Sequence, residues 1–81
     1  MNEYKEFLIS WICEKTGIEK NKIDSEINMF ENGYVDSLSL FGLLLDIETN
    51  FGVTLDTDDI LNDRAATVDG LSEILKNKSN S

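Results

Sequence analysis

Tyr4, Phe7, Leu8, Trp11 and Ile12 recur at i, i+3, i+4, i+7 and i+8, the spacing that places apolar side chains on one face of an α-helix. The pattern predicts a helix from about Asn2 to Thr16. Gly17 supplies its stop, because glycine adopts the left-handed backbone on which helices commonly end. Ile18, Ile23, Ile27, Met29 and Phe30 then lie among polar residues with no sustained helical or strand period. Residues 18–35 therefore read as a long loop pinned to the core, and a loop of that length in a small domain is more often functional than idle.

The helical pattern returns at Asp36 and runs to about Asn50, with Gly52 closing it. At about 100° per residue, Leu40, Leu43, Leu44, Ile47 and Phe51 form one broad apolar face, while Leu38, Phe41 and Leu45 form a second stripe beside it. Ser39, Gly42, Asp46, Thr49 and Asn50 make up the polar sector. Two apolar faces need two covers. Either neighbouring helices bury both, or Leu38, Phe41 and Leu45 stay exposed as a docking patch.

Downstream, Asp56 or Thr57 reads as the cap of a short helix over about Asp58 to Asn62, since Asp and Thr side chains accept hydrogen bonds from first-turn amides. Thr67 caps a last amphipathic helix that turns Val68, Leu71, Ile74 and Leu75 inward. No segment alternates as a strand. The expected architecture is all-α, a small bundle of three main helices and one short one with a long loop between the first two helices. The 81 residues form one domain, 1–81, with a core from about 3 to 76 and residues 77–81 expected to fray.

Charge narrows the function classes. Seven basic and sixteen acidic residues give a net charge of −9, which opposes binding to nucleic-acid phosphates and anionic lipid. No apolar run reaches the roughly 20 residues of a membrane span, and Met1 to Glu6 lack the basic start of a secretory signal; the expected compartment is the cytoplasm and the expected state a monomer. The lone Cys13 cannot form an internal disulfide and, with no histidine in the chain to activate it, reads as a small buried or half-buried residue. The missing histidine also removes a Ser-His triad and histidine ligation of zinc. Asp56-Thr57-Asp58-Asp59 lacks the ligand register of a calcium loop, so no metal is expected.

One junction remains where chemistry fits. Gly33-Tyr34-Val35-Asp36-Ser37-Leu38 puts a serine at the start of the central helix, where unpaired N–H groups and the positive end of the helix dipole favour a phosphate ester. Asp-Ser before an apolar run is also the ordinary signature of a helix cap. Between Ile23 and Asp63 lie Asp24, Glu26, Glu31, Asp36, Asp46, Glu48, Asp56, Asp58, Asp59 and Asp63, with no Lys or Arg. Such a one-signed surface can be a solvated face, or it can steer basic partner surfaces toward Ser37.

From Tyr4 to Leu75 the chain resembles the acyl carrier proteins, the phosphopantetheine-bearing family that includes peptidyl and D-alanyl carriers. The resemblance rests on Asp36-Ser37-Leu38 followed by Leu43, Ile47, Glu48 and Phe51-Gly52, on Gly17-Ile18, Ile23, Ile27 and Phe30 upstream, and on Thr67-Val68, Leu71 and Ile74 downstream. It implies a non-catalytic four-helix carrier in which Ser37 is esterified to 4′-phosphopantetheine from coenzyme A by a separate phosphopantetheinyl transferase. Cargo would ride as an acyl or aminoacyl thioester, put on by an adenylating ligase or acyltransferase and taken by synthase, condensation or transferase enzymes. Asp36 and Leu38 would contact the transferase, and Leu45, Glu48 and Phe41 the partner enzymes. Asp36 has two candidate roles, capping the helix and offering the transferase or its metal an anionic contact.

Housekeeping fatty-acid carriers usually have an acid where Gly42 stands and small residues where Tyr34-Val35 stand. In these respects the chain is closer to freestanding carriers of specialised pathways (polyketide, nonribosomal peptide or aminoacyl transfer). The alternatives are a housekeeping fatty-acid carrier and, from another class, an acidic interaction module with no prosthetic group. The one-signed segment repels itself, and counterions relieve that repulsion. The melting temperature is accordingly expected to rise from low to moderate salt and with divalent cations; a salt-independent value in calorimetry contradicts this.

Overall fold

The computed structural model describes residues 2–79. Its order is α1 (Glu3–Thr16), a 3₁₀ turn (Lys20–Lys22), α2 (Ser37–Phe51), α3 (Thr57–Leu61), a second 3₁₀ turn (Asp63–Ala66) and α4 (Val68–Ser79). The fold is the expected all-α bundle of three long helices and one short one, with no strand among the described residues.

Helix α1 begins where the Asn2 side chain accepts hydrogen bonds from the amides of Tyr4 (3.0 Å) and Lys5 (3.2 Å), and it ends at Gly17, φ 78°. Its inward face buries Leu8, Trp11 and Ile12, with Tyr4 and Phe7 half-buried at the edge. Those two rings meet Phe51 of α2, with centroids 4.8 and 5.1 Å away. Trp11 Nε1 donates to Asp46 at 2.9 Å, which takes Asp46 out of the solvated polar sector of α2 and ties that helix to α1. The core is completed by Met29, Val35, Leu43, Ile47, Val68 and Leu75, each almost fully removed from water.

The long connection between α1 and α2 is anchored, and one part of it is helical. Main-chain bonds from Lys22 to Glu19 and from Ile23 to Lys20 close a 3₁₀ turn where an unbroken loop was expected. Further on, the Asp69 amide donates to the Ser25 carbonyl, the Ser25 hydroxyl donates to the Asp69 carboxylate, and Lys5 pairs with that carboxylate at 2.9 Å. Ile23 and Met29 are buried as expected, but Phe30 is 40% exposed. It sits on a turn whose first amides, Phe30 and Glu31, are held by the Asn28 side chain, and this keeps the ring at the rim of the core.

The short helix starts one residue before the expected Asp58. The Asp56 carboxylate accepts from the Asp59 amide, and the Asp59 carboxylate accepts from the Asp56 amide, a reciprocal box that makes Thr57 the first helical residue. Asn62 instead caps the next turn by accepting from the Arg64 amide. Thr67 Oγ1 accepts from the Gly70 amide at 3.0 Å, the capping role read from the sequence.

Helix α4 does not fray at residue 76 or 77; it stays helical to Ser79. Lys78 reaches the carboxylates of Asp56 and Asp59, and the Tyr4 hydroxyl donates to Ser79 Oγ at 2.7 Å. Residues 80 and 81 lie outside the described residues. Near its start, α4 crosses the 63–66 turn so closely that a Cβ on Gly70 would run into the main chain of Arg64. Alanine there is expected to lower stability by about 1–3 kcal/mol through overpacking, despite its better helix propensity. Urea denaturation of Gly70→Ala measures this, and a neutral or stabilising result contradicts the close crossing.

Candidate functional site

Ser37 is delivered to the surface by a short stretch of chain pinned at both ends. The Met29 amide donates to the Ala66 carbonyl at 2.7 Å, and the Met29 carbonyl accepts from the amides of both Tyr34 (2.9 Å) and Val35 (3.2 Å). Gly33, φ 75°, makes the reversal that allows this, since that backbone region is costly for other residues. Tyr34 and Val35 are then buried, and the Tyr34 hydroxyl accepts from the Asp24 amide at 3.2 Å. The two bulky residues before Asp36 are thus core anchors for the segment that leads to the site.

Asp36 is the N-cap of α2 and Ser37 is its first helical residue. The Asp36 carboxylate accepts from the Ser39 amide at 2.8 Å, and the Ser39 hydroxyl accepts from the Asp36 amide at 2.9 Å. This reciprocal box satisfies the helix end without Ser37. The Ser37 side chain is exposed, and among the described residues its hydroxyl has no hydrogen-bond partner. The residue that sequence reasoning missed is Ser39; the Asp-x-x-Ser spacing, a capping-box pattern, was the signal.

Around the helix, Ser37, Glu48, Phe41, Leu45 and Leu38 fall in that order within an arc of about 100°. Leu38 is 85% exposed, Phe41 66% and Leu45 65%, and Asp36 and Glu48 are exposed as well. The second apolar stripe is therefore uncovered, while the first is turned inward: Leu43 and Ile47 are buried and Leu40 and Phe51 are packed against the core. An apolar cavity of about 20 Å³ lies behind the site, lined by residues that include Leu40, Leu44, Leu55 and Ile60. Cys13 is half-buried. Among the described residues no helix is long and apolar enough to cross a membrane.

The Ser37 hydroxyl stands on an open surface of a histidine-free chain, at a helix N-terminus whose capping is done by other groups, so it is accessible and has no histidine to act as its base. An exposed, unpaired Oγ beside first-turn amides fits a phosphodiester, because the group can extend into solvent while its charge lies at the positive end of the helix dipole. Residues 6–75 match the family model described as the phosphopantetheine attachment site. Over 69 residues the chain is 30% identical to a protein of Thermotoga maritima named acyl carrier protein, covering 85% of this chain and 83% of that one. The chain belongs to the acyl carrier protein family of phosphopantetheine carriers, whose members are generally non-catalytic.

The cap also sets a pH dependence. Hydrogen bonds from the Ser39 amide, then from its hydroxyl, with a smaller one from the Leu38 amide, hold the Asp36 carboxyl below its ordinary value of 3.8. A carboxylate whose folded pKa is depressed stabilises the fold above its unfolded value, and that contribution is lost as pH falls through the folded value. The cap is therefore intact at neutral pH and releases below 3.8. Titration followed at the Ser39 amide should give an apparent pKa under that figure, moving upward in Ser39→Ala; a value at or above 3.8 in the native chain contradicts the assignment.

Proposed function

We propose that Ser37 is the attachment residue, its Oγ joined through a phosphodiester to 4′-phosphopantetheine that a separate transferase takes from coenzyme A. The observation that carries this reading is the division of labour at the start of α2: Asp36 and Ser39 cap the helix, and the Ser37 hydroxyl is left exposed. Capping would have been the ordinary explanation for a serine here, and it is supplied by its neighbours. When attached, the group provides a terminal thiol on which acyl or aminoacyl cargo is held as a thioester.

The rest belongs to the chain's own residues. Leu38, Phe41 and Leu45 offer exposed apolar area on the same side of α2 as Ser37, and Asp36 and Glu48 add negative charge beside it. Apolar contact supplies affinity and charge supplies orientation and encounter rate. We assign Asp36 and Leu38 to contact with the transferase, and Phe41, Leu45 and Glu48 to contact with the enzymes that load and unload cargo, all acting on a monomeric cytoplasmic carrier of one domain.

A specialised biosynthetic pathway is favoured over bulk fatty-acid synthesis by Gly42. A Cβ there would meet open space, so packing within the chain does not require glycine, although glycine in a helix interior costs about 1 kcal/mol relative to alanine. Gly42 stands in the polar sector of α2, about 40° beyond Leu38, and leaves bare backbone where housekeeping carriers usually carry an acid.

Intact mass after incubation with coenzyme A and a broad-specificity phosphopantetheinyl transferase tests the attachment. The native chain and Ser39→Ala are expected to gain one phosphopantetheine, and Ser37→Ala none. No gain in the native chain, or a gain that survives Ser37→Ala, overturns it and leaves an interaction module built on Leu38, Phe41 and Leu45.

A further inference from the structure

Asn32 is the one asparagine of the chain that is followed by glycine, and the pair forms the reversal that leads to Tyr34, Val35 and the start of α2. Such a pair can react within itself. The main-chain nitrogen of the second residue attacks the side-chain amide carbon of the first, and glycine, with no Cβ, leaves that approach unobstructed.

The fold leaves this pair open. Asn32 and Gly33 are both exposed, and a Cβ on Gly33 would meet open space. The Gly33 amide reaches the Phe30 carbonyl only at 3.5 Å, beyond the usual length of such a bond, so the attacking nitrogen is weakly held. One firmer tether has to open, the bond of 2.9 Å from Asn32 Nδ2 to the Asn28 carbonyl; it lies at the surface, where local opening costs little. Asp69-Gly70, the one aspartate followed by glycine, is closed by contrast. Its carboxylate is held by Lys5 and Ser25, the Gly70 amide donates to Thr67 Oγ1 at 3.0 Å, and Gly70 is buried against the main chain of Arg64.

We propose that Asn32 is a site of spontaneous covalent modification, closing on Gly33 to a succinimide and opening to aspartate or isoaspartate, and that the isoaspartate form releases the anchor of Tyr34 and Val35. In the first step the Gly33 nitrogen gives up its proton and bonds to Asn32 Cγ, the Cγ–Nδ2 bond breaks, and Nδ2 leaves with a proton as ammonia. Solvent water then opens the ring. Attack at Cγ restores the original main chain as aspartate; attack at the main-chain carbonyl carbon frees that group as the carboxylate and leaves the chain running through Cβ and Cγ. Both products add a negative charge to the acid-only stretch beside Glu31. Isoaspartate also lengthens the main chain just before the two amides that the Met29 carbonyl accepts, a register that an inserted methylene disturbs. The chemistry stands whether or not Ser37 carries a group.

Ageing of the unmodified full chain at neutral and mildly alkaline pH tests this, with peptide mapping and with methyl transfer from S-adenosylmethionine to isoaspartyl carboxylates as the readouts. Aspartate and isoaspartate are expected at residue 32 and not at residue 69, faster at the higher pH because the attacking nitrogen must lose its proton. The rate is expected to lie within about tenfold of that in urea, and Asn32→Gln, whose longer side chain closes the ring poorly, is expected to give neither product. Amide hydrogen exchange on the purified isoaspartate form should be about fivefold faster at Tyr34 and Val35 and unchanged at Ile12 and Ile47. Asn32→Asp, which adds the charge without lengthening the chain, should keep native protection. A folded chain that stays intact while the urea-unfolded chain converts, reaction at residue 69 as fast as at 32, or products that persist in Asn32→Gln overturn the site. Native protection of Tyr34 and Val35 in the isoaspartate form, or equal loss in Asn32→Asp, overturns its effect on the anchor.

Discussion

The Met29 carbonyl, accepting the amides of Tyr34 and Val35 while the Met29 amide is spent on Ala66, is the constraint on which the functional end of the molecule depends. Helix α2 has to bury Leu43 and Ile47 and still begin at the surface. A free loop of the length of residues 18–35 would let its first turn fray, because first-turn amides have no partners within the helix. Fixing the backbone at residues 34 and 35, with both side chains buried, places Asp36 where it can reach the Ser39 amide. The cap then sets the helix start, and the helix start sets where Ser37 stands.

Negative charge is handled in two ways. Some acids are given partners from distant parts of the chain: Asp69 with Lys5, Asp46 with the Trp11 indole, Asp56 and Asp59 with Lys78. Each joins two elements, so these contacts set how the helices stand against one another, although an exposed ion pair adds little stability by itself. Others are left at the surface, and two of these, Asp36 and Glu48, stand beside the uncovered stripe of α2. The −9 net charge therefore destabilises the bundle where it is unpaired, and part of that unpaired portion, Asp36 and Glu48, lies on the same side of α2 as Ser37.

What could be read from the sequence was what local periodicity and capping chemistry encode. The inward faces of α1 and α2, the glycine ends at 17 and 52 and the Thr67 cap all followed from spacing within a few residues, and so did the placement of Ser37 in the first turn of α2. The loop anchors did not, because Tyr34 with Asp24, Ser25 with Asp69 and Met29 with Ala66 join residues whose proximity only the finished fold creates. The same holds for the helical end of α4, which takes its order from Tyr4, Asp56 and Asp59. Phe30 looked like a core residue by its chemistry, yet the turn built on Asn28 turns it partly outward. Whether the stripe of Leu38, Phe41 and Leu45 was covered depended on where the other helices lay, which α2's own periodicity does not contain.

Asp36 caps α2 and still stands at the surface. Beside a phosphodiester of the kind proposed for Ser37 its charge would be repulsive, so its presence needs a compensating role. Oδ1 supplies one by accepting the Ser39 amide, and the same bond draws the carboxylate toward the third residue of the helix. Its second oxygen remains on an exposed residue, open to an approaching cation. Exchange to asparagine would keep an oxygen for the cap and lose the charge, whereas exchange to alanine loses both; the cap and the exposed charge are therefore separable by chemistry even though a single side chain carries them. Ser39 is what makes this economical: by returning its hydroxyl to the Asp36 amide it completes the helix end, so that neither the cap nor the fold makes any claim on the serine between them.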